Sequence, residues 1–239
     1  VKTHHTEQSR RAFTLLEILI AITILGFITM MSLGFFVETI KATFVSEQKN
    51  LINNDVRTLT AELSEAAKEA NFTLLYSSFE SDDRNSSGDR LLDGNSGDFL
   101  VFGFQGEPDL STSINAPQPV TRLTGFYRAP ADPNDPTSEG PVRKFDTDLD
   151  FAYNDSDEPL LSPIDPLDPP TPEEILATLY PTSTRNTNPE VISLSEGLAN
   201  NRLFYNYGKS SIMINGKIIH GVEAKRVTDT YNLTISTRR

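Results

Sequence analysis

Residues 13–37 read FTLLEILIAITILGFITMMSLGFFV, apolar almost throughout. One acid, Glu17, stands near the start, and the twenty residues between Glu17 and Glu38 carry no formal charge. At about 1.5 Å of rise per residue they make roughly 30 Å of helix, the thickness of a bilayer's hydrocarbon core. Ile, Leu, Phe and Met occupy every side of that helix, which excludes a one-faced amphipathic stretch. The apolar core of a secretory signal is shorter, about 7–15 residues, and ends in a small-residue cleavage site. Here Glu38–Asn50 turns amphipathic and reads as continuing helix, so the segment is expected to be retained and to span a membrane.

Two features distinguish it from a plain anchor. Glu17 is a carboxylate about one turn inside the apolar run, where an ionisable group is costly and marks a functional site by default. It is preceded by Arg10, Arg11, Ala12, Phe13, Thr14, Leu15 and Leu16. This stretch resembles the processing signal of bacterial type IV prepilins and type II secretion pseudopilins. In that family a basic leader ends in a small residue, usually Gly, followed by an aromatic residue, Thr-Leu, and a Glu five positions into the mature chain. The resemblance covers residues 9–37, and Ala12 stands where Gly is usual.

The resemblance implies cleavage between Ala12 and Phe13 by a membrane-embedded prepilin peptidase, which also methylates the new amine of Phe13. Arg10 and Arg11 supply the leader charge. Glu17 is then implied to meet the Phe13 amine of a neighbouring pilin subunit in a filament. Physical chemistry points the same way, since a buried carboxylate and a buried ammonium are each costly alone and pairing offsets both. The alternative for Glu17 is a carboxylate snorkelling to the headgroups. Gly26 and Gly34, on one broad face, mark either a segment able to loosen or small residues for close helix packing.

Residues 1–12 carry Lys2, Arg10 and Arg11 against Glu7, a net of +2, and the rest of the chain makes up the total of −12. Positive charge beside the span sets the N-terminus in the cytoplasm and the remainder beyond the inner membrane. His4 and His5, adjacent in the leader, read as solvated. From Glu38 to Phe72 the helix is expected to continue, with Ile52, Val56, Leu59, Leu63, Ala66 and Ala70 as one buried stripe. The expected organisation is leader 1–12, membrane and filament-core helix 13–37, amphipathic helix 38–72, and a β-rich head 73–239.

Strand signals in the head are Asp98–Phe104, Leu123–Ala129, Arg202–Tyr207, Ser211–Ile214, Lys217–Glu223 and Thr230–Ser236, with Asn215-Gly216 read as a two-residue hairpin turn. A helix followed by an antiparallel sheet is an α+β arrangement, and the same order is implied by the pilin-like resemblance. All fifteen prolines lie between Pro108 and Pro189, within acidic, Pro-rich loops expected at about 105–200. Few apolar residues interrupt Pro130–Asp150, so much of it reads as loop rather than core. Thr171–Leu179 reads as a short surface helix, with Thr171 as N-cap and Pro172 at the first helical position.

Asp146, Asp148 and Asp150 alternate and form the one candidate Ca²⁺ set, although Phe151 takes the position where a Ca²⁺ loop needs glycine. No other cofactor is indicated. With no cysteine there is no thiol nucleophile, Cys-ligated zinc or disulfide. The head's one histidine, His220, reads as a packed strand residue. No Gly-rich phosphate loop, HExxH or GxSxG occurs. The pI near 4.7 argues against nucleic-acid binding. The expected function is therefore structural rather than enzymatic: a subunit, minor by preference, of a type IV pilus or secretion pseudopilus. The alternative is an extracytoplasmic enzyme or binding protein on an uncleaved tether.

Overall fold

The structure, a computed structural model, describes residues 14–106, 118–149, 169–208, 211–221 and 225–237. It is α+β: a long N-terminal helix, α1 (Leu15–Glu69), precedes a nine-stranded antiparallel sheet. Two compact units divide the chain between Glu47 and Gln48. In the first, the large apolar side chains of α1 are exposed, among them Leu15 at 82%, Met31 at 76% and Phe35 at 70%. That exposure is unfavourable in water and neutral in lipid, and α1 is long and apolar enough to cross a membrane.

In the second unit the remainder of α1 buries Ile52, Leu59, Leu63, Ala66 and Ala67. α1 ends at Glu69, and Phe72, read from sequence as the helix end, opens β1 (Phe72–Tyr76). There follow β2 (Ser96–Gly97), β3 (Phe99–Gln105), β4 (Val120–Arg128), β5 (Gly140–Asp148), α2 (Pro172–Leu179), β6 (Glu190–Gly197), β7 (Phe204–Gly208), β8 (Ser211–His220) and β9 (Val227–Ser236). Hydrogen-bonded neighbours run β1-β3-β4-β5-β6-β8-β7-β2, with β9 on β8. Because β2 leads through Asp98 straight into β3, this path returns to the chain just before its own second strand.

Successive strand residues face opposite sides, so the sheet has two covered faces. On one lies α1, tied through Asp55–His220 on β8, Glu62–Lys144 on β5 and Glu69–Arg122 on β4. The three acids recur every seven residues, two helical turns, which brings each onto the same edge of the helix. On the other face Phe99, Val101, Leu123, Tyr127 and Phe145 form a core with Ile175 and Leu176 of α2.

Three expectations are corrected. Pro130–Asp150 is not all loop, because β5 occupies Gly140–Asp148 and buries Val142 and Phe145. Its charged residues hid a period-two pattern, for Phe145 lies over Gly125 where any Cβ would sit 2.2 Å from the ring. The helix read on the surface, α2, is instead a core element with Ile175 and Leu176 fully buried. Asn215-Gly216 is not a hairpin turn but the middle of β8, paired Asn215↔Asn232 and Gly216↔Tyr231. Glycine is needed there because a Cβ would come within 2.8 Å of Leu203 and Tyr231.

Two buried polar clusters join distant segments. Asp98 and Arg128 are both fully buried, and Arg128 donates from Nε and Nη2 to the two Asp98 oxygens at 3.0 and 2.8 Å. Arg202 Nη1 and the Leu203 N–H also donate to Asp98, each at 2.9 Å. Arg128 completes its donors on the carbonyls of Ser138, Pro136 and Asn201. Full pairing is what makes a buried charge tolerable. The second cluster holds α2. Glu173 accepts from Tyr76 at 2.6 Å and from Arg90 at 2.6 and 2.8 Å. Arg84 donates to the carbonyls of Leu176 and Tyr180 at the helix's C-terminal end, where positive charge suits the dipole. Burial pulls the Arg84 guanidinium down to about 10.

Candidate functional site

The sequence from Thr14 to Val37 builds the site. Thr14 precedes the first helical residue, and Thr14-Leu15-Leu16-Glu17 forms a capping box. The Glu17 carboxylate accepts the Thr14 main-chain N–H at 2.9 Å and its hydroxyl at 3.1 Å, while the Glu17 N–H donates to Thr14 Oγ1 at 3.3 Å. Orphan donors at a helix start are thereby satisfied within one chain. This role for Thr14 was missed in reading the sequence, although its T-x-x-E signal was legible.

Beyond Glu17 the surface is apolar, and the carboxylate heads a shallow concavity with Ile18, Ala21, Ile22 and Leu25. The Thr23 and Thr29 hydroxyls each donate to the carbonyl four residues back at 2.8 Å, which leaves them with no need of water. Among the described residues nothing beyond the local helix lies within 4 Å of a Cβ built on Gly26 or Gly34, so none of them requires glycine at either. Arg10, Arg11, Ala12 and Phe13 lie outside the described residues.

The other sequence-derived positions are scattered. The Asp146 carboxylate is engaged by Thr124 Oγ1 at 2.9 Å and by Arg122 Nε at 3.2 Å. Asp148 ends β5, and Asp150 lies outside the described residues. Among the described residues no group of three or more His, Asp or Glu side chains is placed to hold a metal. His220 Nε2 is 2.8 Å from Asp55, joining β8 to α1.

Comparison with curated proteins and with solved structures gave no match. In comparison with protein families, residues 8–33 match the prokaryotic N-terminal methylation motif. The matched residues take in Arg10 to Phe13, the Thr14–Glu17 capping box and most of the apolar run, so this chain carries the prepilin-type N-terminal methylation motif, leading into a helix long and apolar enough to cross a membrane.

Proposed function

We propose that this chain is a filament subunit of a type IV pilus or of the short pseudopilus of type II secretion, with a minor role preferred. It enters the inner membrane with its N-terminus cytoplasmic and its head outside. Prepilin peptidase cuts between Ala12 and Phe13 and methylates the Phe13 amine. Residues 13–37 then pack against the same segment of other pilin subunits, where Glu17 pairs with a neighbour's Phe13 amine. The observation that supports this reading is the methylation motif at residues 8–33 coinciding with the exposed apolar stretch of α1 from Leu15 to Val37, whose one acid is Glu17.

In the single chain Glu17 already has a partner, Thr14. The capping box lets the carboxylate sit in lipid before assembly, and an incoming ammonium replaces neutral donors with a charged one, a stronger bond. The test is the intact mass of the membrane-extracted protein. A chain beginning at Phe13 and carrying one methyl group supports the proposal; a chain that keeps residues 1–12 in every cell fraction overturns it.

A further inference from the structure

The motif Asn-x-Ser/Thr, with any residue but proline in the middle, marks an asparagine that accepts an N-linked glycan on a secreted surface loop. Four copies occur in this chain: Asn71-Phe72-Thr73, Asn85-Ser86-Ser87, Asn154-Asp155-Ser156 and Asn232-Leu233-Thr234. So short a motif recurs by chance, and the fold has to choose among the copies. Asn154 lies outside the described residues. The other three stand in different settings.

Two are locked into the sheet. Asn71 donates its N–H to the Gly103 carbonyl at 2.9 Å and accepts the Gln105 N–H on its side-chain oxygen at 2.8 Å. Its motif then enters β1, where Thr73 pairs with Phe102 and a Cβ on Gly103 would sit 1.9 Å from the Phe72 ring. Asn232 lies inside β9, paired with Asn215, and its motif continues through Leu233↔Ile214 and Thr234↔Met213. A transferase has to reach the asparagine amide and the hydroxyl two residues on together, so it would have to peel either strand from its ladder.

Asn85 is different. It stands exposed between two short 3₁₀ turns, Ser81–Asp83 and Ser87–Asp89. Among the described residues neither its main chain nor its side chain has a hydrogen-bond partner. The Ser87 hydroxyl is likewise exposed and unbonded. The residues around it are held. Arg84 is buried and donates from Nε to the Phe79 carbonyl at 2.7 Å and from Nη1 to the Leu176 carbonyl at 3.1 Å. Ser86 bonds to Asp89 through its N–H and its hydroxyl, each at 2.9 Å. Asn85 is thus presented to solvent on a fixed base, and a glycan there displaces no hydrogen bond of the head.

We infer that Asn85 is an acceptor for N-linked glycosylation, with Ser87 supplying the hydroxyl that the transferase reads. The donor is an oligosaccharide carried on a polyprenyl diphosphate. Asn85 Nδ2 attacks C1 of the first sugar, forming the C–N bond as the C–O bond to the diphosphate breaks. Polyprenyl diphosphate leaves with the electron pair, the amide gives up one proton, and no oxidant or reductant takes part. The inference rests on the filament reading above, which sets the head outside the inner membrane, where secreted surface loops are modified.

The test is peptide mass spectrometry of the full-length protein extracted from the membranes of its native host. The Asn85 peptide is expected to carry an added oligosaccharide mass, with the Asn71 and Asn232 peptides unmodified. Asn85→Gln and Ser87→Ala are each expected to abolish that mass and leave the melting temperature unchanged, since neither side chain holds the head together. Ser87→Thr, which keeps the motif, and Ser86→Ala, which removes a local hydrogen bond but not the motif, are expected to retain it. A glycan on Asn71 or Asn232 instead, or one on Asn85 that survives Ser87→Ala, overturns the assignment. An unmodified Asn85 in a chain that begins at Phe13 overturns the glycan site and leaves the filament reading standing. An unmodified Asn85 in a chain that keeps residues 1–12 in every fraction overturns both, while a glycosylated Asn85 in such a chain overturns the filament reading alone.

Discussion

Glu17 accepts a hydrogen bond from the main-chain N–H of Thr14 three residues before it, so the acid of the apolar segment also closes the N-terminal end of its own helix. The capping role of Glu17 and its proposed assembly role are separable by mutation. Losing an N-cap hydroxyl costs about 1 kcal/mol, less than a factor of ten. Thr14→Ala is therefore expected to lower filament yield by less than tenfold. Glu17→Ala removes the charge proposed to meet a neighbour's amine, and is expected to insert and be cleaved normally yet lose filament yield by well over tenfold. Sheared-filament yield against total membrane protein gives both numbers, and equal losses would remove the assembly role.

The buried Asp98–Arg128 pair should dominate the stability of the head. Removing one partner of a buried ion pair leaves the other unpaired and costs about 3–5 kcal/mol. Asp98→Ala strands Arg128 and also frees Arg202 and the Leu203 N–H. A fall in melting temperature of roughly 6–20 °C is expected for a domain of this size. Circular dichroism of the full-length protein in detergent measures it, and a fall under 3 °C would contradict the assignment.

Glu173 gives the head an acid-sensitive contact. Burial alone would raise its carboxyl, but the hydrogen bonds from Arg90 and Tyr76 outweigh burial and hold it below the usual 4.5. A lowered native value adds stability that is present above about 4.5 and is lost as pH falls through the native value. Urea midpoints of the wild type are expected to drop between pH 6 and pH 3. Glu173→Gln is expected to start lower and to drop by less; an unchanged slope would show that other carboxyls carry the acid limb.

Apolar burial, rather than the three acid–base contacts, should hold α1 to the sheet. Ion pairs at partly exposed sites contribute about 0.2–1 kcal/mol each. Leu63 is completely buried, and a buried Leu→Ala change costs about 2–5 kcal/mol. Asp55→Asn is thus expected to shift the denaturant midpoint only slightly and Leu63→Ala several times more. The reverse order would assign the docking to charge.

How a segment reads from sequence depended on how local its physics is. The Phe13–Val37 span was legible because it depends on neighbours along the chain and on the fixed thickness of a bilayer; the Thr14–Glu17 box is equally local and its T-x-x-E signal was present, though it went unread. The α+β class and the strands of the head, β3, β4, β7 and β9, came from uninterrupted apolar or alternating runs. β5 escaped because charged residues dominate its composition, while its burial is supplied by Gly125, Phe99 and Tyr180 from elsewhere in the chain; α2 was legible as a helix from its cap and proline, but not its place in the core.

Asn215-Gly216 looked like a turn because local preference favours one, but packing against Leu203 and Tyr231 overrode it. Which charges meet was decided by topology. Asp98 finds Arg128 thirty residues on and Arg202 on the far side of the sheet path, and Glu173 finds Arg90 eighty-three residues back. The sequence by itself determined where the membrane-length apolar run lies and which signal precedes it. Tertiary structure alone decided which buried ions pair and how α2 joins the core, because those contacts exist only once distant strands have been laid side by side.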